Sequence, residues 1–246
     1  MHNFIIDINA DVGEGIGNES QLMPYISSCN IACGGHAGDH RTMQKIVKLA
    51  KDHGVKIGAH PSFPDKDNFG RVPMEMSCAA LFTAIEDQMD ALRHVLEVEN
   101  LDLHHVKPHG ALYNLAAIDS RTATCFVEAM KTIVAPVKLY VPFNSVIAKI
   151  AIENNIPIIY EAFADRNYND DLTLVNRTEA NAIIQDPDLM FEHVFRIIKD
   201  KKVKTISGAL QPIEAHTFCI HGDNHNAVRL VRELFLRLKA KGIQVS

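Results

Sequence analysis

The feature that most limits how this chain can fold is a repeated alternation. A short apolar run ends in a burst of His, Asp, Asn, Arg or Gly, and a helical pattern follows. The runs are Phe4 to Asn9, Ser27 to Cys33, Val55 to Ala59, Leu103 to Val106, Val137 to Val141, Ile156 to Tyr160 and Ala215 to Ile220. Short apolar runs between helices are the mark of parallel strands in an α/β sheet. Such sheets carry their sites at the carboxyl ends of the strands. An open doubly wound sheet would gather the polar bursts at one switch point, whereas here almost every run ends in one. The expected fold is therefore α/β, a seven-stranded (β/α) barrel, with residues 1–246 forming one domain.

The helical stretches are clear by period. Met43, Ile46, Val47, Leu49 and Ala50 form a stripe between a cap at Asp39 and a stop at Gly54. Leu81, Ile85, Met89, Leu92 and Leu96 recur at steps of three and four from Cys78 to Val98. Further helices are expected near Arg121 to Val134, Ser145 to Asn154 and Asp186 to Lys201, with a last one carrying Val228, Val231, Leu234, Phe235 and Leu238. Lys204 to Ile213 is too mixed to place. Ala10 to Gly17 is expected to be a glycine-rich loop with two carboxylates, Asp11 and Glu14. Ser62 to Pro73, with Asp65, Asp67, Gly70 and Arg71, is long enough to act as a mobile lid.

Composition mainly excludes. A net charge of −5 argues against a nucleic-acid partner, and no apolar run nears the ~20 residues that span a bilayer. Asp7 comes too early for a secretory signal. Five cysteines, with no C-x-x-C pair, suggest a reduced, cytoplasmic protein without structural zinc. The 13 histidines stand out, because several fall in the polar bursts.

Those bursts supply the site candidates. Lys107-Pro108-His109-Gly110-Ala111-Leu112-Tyr113-Asn114 puts an ammonium, an imidazole, a phenol and an amide within eight residues of a strand end. His36 sits between glycines, far from any apolar face. His60 ends the third strand, and His221-Gly222-Asp223-Asn224-His225 ends the last. Plainer explanations stand beside these. Asp7 could be a structural hydrogen-bond hub, and Glu161, Asp165, Arg166 and Arg177 a salt-bridge cluster. Cys33 is best read as a small buried hydrophobe. A G-x-x-x-x-G-K-[ST] phosphate loop is absent from the sequence.

Taken in order, the bursts resemble the LamB/YcsF family. The matching segments are Asp7-x-Asn9-x-Asp11-x-Gly13-Glu14, Asn30-Ile31-Ala32-Cys33-Gly34-x-His36-Ala37-Gly38-Asp39, Gly58-Ala59-His60-Pro61, Gly70-Arg71, Lys107 to Asn114, Glu161-x-Phe163-Ala164-Asp165-Arg166 and His221-Gly222-Asp223. Each is weak alone, but the ordered set is specific. Ala10, Gly35 and Asp171 depart from the family pattern, and bear on substrate fit. The resemblance implies a barrel similar to the glycoside hydrolase/deacetylase superfamily. It also implies ATP-dependent opening of 5-oxo-L-proline to L-glutamate, with ATP and Mg²⁺, together with separate B and C subunits of a 5-oxoprolinase.

A lactam amide is resonance-stabilised, so such chemistry needs cations, proton-transfer groups and donors for a developing oxyanion. Asp11, His60, Lys107, His109 and Asp165 are the expected catalytic residues. Asn9, Glu14, His36, Arg71, Tyr113, Asn114, Glu161, Arg166, His221 and Asp223 are expected to bind the substrate or ATP. Asp11, His60 and His109, on three strand ends, also form a candidate ligand set for a divalent metal. Two other functions compete: a stand-alone metal-dependent amide or deacetylating hydrolase, and a non-catalytic lactam-binding subunit.

Overall fold

A computed structural model describes residues 4–224 and 226–246; His225 lies outside the described residues. The elements are β1 (Ile5–Val12), α1 (Glu19–Leu22), β2 (Ser28–Ala32), α2 (His40–His53), β3 (Lys56–His60), α3 (Cys78–Glu99), β4 (His105–Val106), α4 (Gly110–Ile118) and α5 (Ser120–Met130). There follow β5 (Lys138–Pro142), α6 (Val146–Glu153), β6 (Ile158–Phe163), α7 (Pro187–Asp200), β7 (Lys202–Lys204), β8 (Leu210–Pro212), β9 (Thr217–Ile220), α8 (Ala227–Ala240) and β10 (Gln244–Val245).

Seven parallel strands, in the order β1-β2-β3-β4-β5-β6-β9, close into a barrel because β9 also pairs with β1, from Asp7↔Thr217 to Ala10↔Ile220. Strands β2 and β9 are buried at every position. This accounts for apolar runs without alternation: one face meets the barrel interior and the other the helices. The helices start where small polar side chains cap them. Asp39 accepts from the Thr42 amide at 2.7 Å and Ser77 from that of Ala80 at 3.1 Å. Gly54, at φ 66°, stops α2.

Four expectations change. β1 runs on through Val12, so Asp11 stands on a strand and only Glu14 belongs to the glycine loop. β6 likewise continues to Phe163 and carries Glu161 inside the barrel wall. The stretch from Lys204 to Ile213 belongs to an antiparallel hairpin of β7 and β8, too short for a period to be read. Cys78 and Cys125 are joined as a disulfide between α3 and α5, with their Cα atoms 5.7 Å apart. Cys29, Cys33 and Cys219 are free and buried. No local pattern hints at that pairing, because 47 residues separate the two cysteines.

Barrel interiors are usually layered with branched apolar side chains. Here much of the interior is polar: Asn9, Asn30, His105 and Thr217 have no exposed surface and Glu161 has 2%. Asp7 proves to be a structural hydrogen-bond hub. Its carboxylate accepts from Ser27 Oγ at 2.9 Å, Ser28 Oγ at 2.7 Å and Thr217 Oγ1 at 2.5 Å.

Candidate active site

Lys107 follows the two-residue strand β4, and its side chain is buried in the barrel mouth. Its Nζ lies 2.9 Å from Asp11 Oδ1, 3.2 Å from Glu161 Oε1 and 2.9 Å from Cys219 Sγ. Burial alone would lower the Lys107 pKa. Asp11, then Cys219 and Glu161, instead hold it well above the usual lysine range. For Asp11 burial works upward, but His60 and Lys107 hold its carboxyl well below the usual range. An ammonium and two carboxylates thus share one desolvated spot, which is tolerated only because each charge has a partner.

A line of donors supports Asp11 from beneath. Asn30 Nδ2 donates to Asp11 Oδ1 and Asn9 Oδ1, both at 2.7 Å, and Asn30 Oδ1 accepts from His105 Nε2 at 2.7 Å. His105 Nδ1 in turn meets His104 Nδ1 at 3.0 Å, and Lys138 Nζ reaches His104 Nε2 at 3.2 Å. Gly58 leaves room for this column, since a Cβ there would collide with the His105 ring.

Beside Asp11 lies a histidine cluster. His60 Nδ1 donates to the Lys107 carbonyl at 2.8 Å, and His109 Nε2 to the Phe69 carbonyl at 3.0 Å. Carbonyls only accept, so these two nitrogens carry protons, and wherever the ring is neutral its other nitrogen is left with a lone pair. The other nitrogens, His60 Nε2 and His109 Nδ1, face each other at 2.9 Å, with Glu14 Oε1 3.4 Å from His109 Nδ1. His36 stacks on His109 at 3.6 Å and donates through Nε2 to Glu14 Oε1 at 3.0 Å. Glu14, His36, His60 and His109 bring one ligand atom each within 4.8 Å of one another. Burial lowers the pKa of His36 and pushes that of His109 well down, which favours neutral rings. Glu14 thus stands beside the two histidines where Asp11 was expected, while Asp11 Oδ2 keeps a 3.4 Å contact with His60 Nε2.

The loop from Ser62 to Pro73 packs over this cluster. Besides the Phe69 carbonyl, it offers the Gly70 carbonyl to the Ala111 amide at 2.9 Å. Gly110, at φ 54°, permits this approach, because a Cβ there would lie 2.6 Å from the Gly70 oxygen. Arg71 from this loop and Arg177 from the segment after β6 converge on the Asp223 carboxylate.

Across the mouth, Asp165 accepts from His221 Nδ1 at 2.9 Å and from its amide at 3.2 Å. Burial would raise the Asp165 carboxyl, but His221 brings it below the usual range. Arg166 is directed elsewhere: its guanidinium donates to the carbonyls of Val175, at 2.5 Å, and Ala182, at 3.4 Å, bracing the following loop.

These groups surround a cavity of about 780 Å³ whose wall includes Asp11, His60, Lys107, His109, Tyr113, Glu161 and His221. Three buried polar atoms of this region, Tyr113 Oη, Glu161 Oε2 and His36 Nδ1, lack a hydrogen-bond partner. Of the expected site residues, Asn9 lies deeper, tied to Glu161 and Thr217, and Asn114 is exposed at the rim. Four residues gain a place that the sequence had not given them: Asn30, His105, Arg177 and Cys219. For Asn30 a signal existed, since an amide inside the buried run Cys29-Asn30-Ile31 must find partners.

Similarity to known proteins now decides the family. The profile of the LamB/YcsF family matches residues 6–246. The chain belongs to that family. LamB/YcsF relatives of this chain include the A subunit of 5-oxoprolinase from Bacillus mycoides (strain KBAB4), 39% identical over 98% of this chain and 97% of that protein. The crystal structure of the lactam utilization protein from Thermus thermophilus superposes with a TM-score of 0.91 at 35% identity, covering 98% of this chain and 99% of that one. A family 4 carbohydrate esterase from Streptomyces lividans shares the LamB/YcsF barrel at a TM-score of 0.52 and 8% identity, over 100% of this chain and 92% of that one. That last likeness is one of fold alone.

Proposed function

We propose that this chain is the A subunit of an ATP-dependent 5-oxoprolinase, opening the lactam of 5-oxo-L-proline to L-glutamate together with B and C subunits. One observation carries the reading. A buried ammonium, two carboxylates and two imidazoles meet at one cavity, in a chain 39% identical to a protein named as the A subunit of 5-oxoprolinase.

Asp11, whose carboxylate stands at the cavity wall, is the proton-transfer group, and His60 Nε2, 3.4 Å from Asp11 Oδ2, is left to hold a cation. Lys107 supplies positive charge for the developing oxyanion. Opposite them, Asp165 engages His221 Nδ1, which leaves Nε2 to give a proton to the departing nitrogen. The substrate carboxylate or a phosphate finds Arg71 and Arg177, at present neutralised by Asp223.

Glu14, His60 and His109, with His36 alongside, fit a divalent cation. In neutral rings, His60 Nε2 and His109 Nδ1 would face each other at 2.9 Å as two lone pairs, which repel unless a proton or a cation lies between them. When bound, such a cation supplies Lewis acidity toward an amide oxygen. Protein purified without chelator is expected to carry about one equivalent of divalent metal by elemental analysis, and His109→Ala to lose it. Metal-free protein under those conditions would refute this part.

Polyphosphate is less well provided for. Among the described residues, Lys107 is held by carboxylates, Arg166 by carbonyls, and Arg71 and Arg177 by Asp223. The nucleotide is therefore expected to bind with help from the partner subunits. ATP-dependent glutamate formation should appear only in the three-subunit mixture and fall at least 100-fold with Asp11→Asn (roughly the loss of one proton-transfer group). Lactam opening by the isolated chain without ATP would instead favour a stand-alone metal-dependent amide hydrolase, the alternative that the histidine cluster supports.

A further inference from the structure

Tyr113 Oη and Glu161 Oε2 are unusual among the polar atoms of the cavity. Tyr113 and Glu161 are 6% and 2% exposed and both line the cavity, and their side chains meet: the phenol leans its hydroxyl toward the Glu161 carboxylate, yet neither Tyr113 Oη nor Glu161 Oε2 has a hydrogen-bond partner of normal geometry. A contact so poorly formed satisfies neither atom, so a ligand whose polar edge offers each of them a better partner can slip between the two. Their chemistry is complementary. Glu161 Oε1 already takes Asn9 Nδ2 at 2.9 Å and Lys107 Nζ at 3.2 Å, which leaves Oε2 as an acceptor. The Tyr113 hydroxyl can donate. The Tyr113 ring is held by an edge contact with Phe163 at 5.5 Å. Burial, helped by the Glu161 charge beside the phenol, pushes its pKa well up, so that it keeps its proton.

We infer that Tyr113 and Glu161 recognise the cis-amide edge of the lactam, Glu161 Oε2 accepting its N–H and Tyr113 Oη donating to its carbonyl oxygen. The assignment rests on the lactam reading and says which atoms make the site choose a ring. A five-membered lactam is locked in the cis form, so N–H and C=O project from the same edge. An acyclic secondary amide is strongly held trans and projects them to opposite sides. A neighbouring acceptor and donor thus select cyclic over linear amides without any steric barrier. The same pair holds the amide plane while the groups at the strand ends act on its carbonyl carbon.

Isothermal titration of the full chain tests this with three ligands: 5-oxo-L-proline, its lactone analogue, which lacks the N–H, and its thiolactam, whose sulfur accepts poorly. Wild type should prefer the lactam over each analogue by about tenfold or more, as a site built around a hydrogen bond does. Tyr113→Phe removes one atom and keeps the ring packing. It should abolish the preference over the thiolactam and leave the preference over the lactone. In Glu161→Gln, Lys107 and Asn9 hold the amide oxygen, so the NH₂ group faces the ligand. The preference over the lactone should then vanish, while that over the thiolactam remains. Ratios unchanged in both variants, or equal loss of all three ligands, would overturn the assignment while leaving the lactam reading in place. Wild type that binds none of the three would overturn the lactam reading itself, and the assignment with it.

Discussion

Lys107 is where most of the electrostatics of the mouth converges. It neutralises Asp11 and Glu161 at 2.9 and 3.2 Å while itself almost wholly buried. Replacing it by methionine keeps the volume but leaves two buried carboxylates without the counter-charge they share. Breaking a buried pair in this way typically costs about 3–5 kcal/mol. Lys107→Met should therefore lower the urea midpoint sharply at pH 7 as well as abolish turnover. Part of that loss should disappear below about pH 4, where a carboxylate can take a proton. The direction follows from Asp11: its folded pKa lies well below its unfolded value, so its contribution is present above the unfolded value and lost as pH falls through the folded one. Equal unfolding midpoints for the variant and wild type at pH 7 would show that Lys107 is not the neutralising charge.

Among the elements, α7 shows how a helix can carry a pH dependence unconnected with chemistry. Its His193 is 6% exposed and donates through Nε2 to the Phe163 carbonyl at 3.1 Å, at the end of β6. Burial, only partly offset by that hydrogen bond, lowers its pKa to about 4. The unfolded chain takes up a proton near pH 6.5, which the folded chain refuses until about pH 4. Stability should fall between those two pH values, by up to about 3 kcal/mol from this residue, and then level off. His193→Gln keeps an N–H donor and cannot titrate, so urea titrations at pH 7 and pH 4.5 should differ less for the variant than for wild type. An unchanged difference would remove His193 as the cause.

For the whole molecule, the closed barrel fixes which groups meet, and one covalent tie joins its outer helices. The Cys78–Cys125 disulfide spans 47 residues of sequence and links α3, which follows the loop over the histidine cluster, to α5. A cross-link enclosing a loop of that size is worth about 4 kcal/mol in the chain-entropy picture. Thiol titration of the unfolded chain should count three free cysteines without reductant and five with it. Reduction should lower stability by about 4 kcal/mol on the same basis. Five thiols in the unreduced chain would show that the tie does not form.

The sequence by itself determined the strand-to-helix alternation, the closed parallel barrel and the principle that strand ends carry the site. Apolar period, caps such as Asp39 and stops such as Gly54 are local, and local pattern suffices to set them. It also placed Asp11, His60, Lys107, His109, Asp165 and His221 among the candidates, because polar residues at the ends of apolar runs have few structural duties. Tertiary structure alone decided the partnerships. That Glu14 joins His60 and His109 while Asp11 touches His60 and Lys107, that Arg166 braces a loop, and that Asn30 and His105 underpin Asp11 all depend on register between strands far apart in sequence. A one-residue change of register turns a side chain from the barrel interior to the helix layer, and no local pattern records which partner waits there.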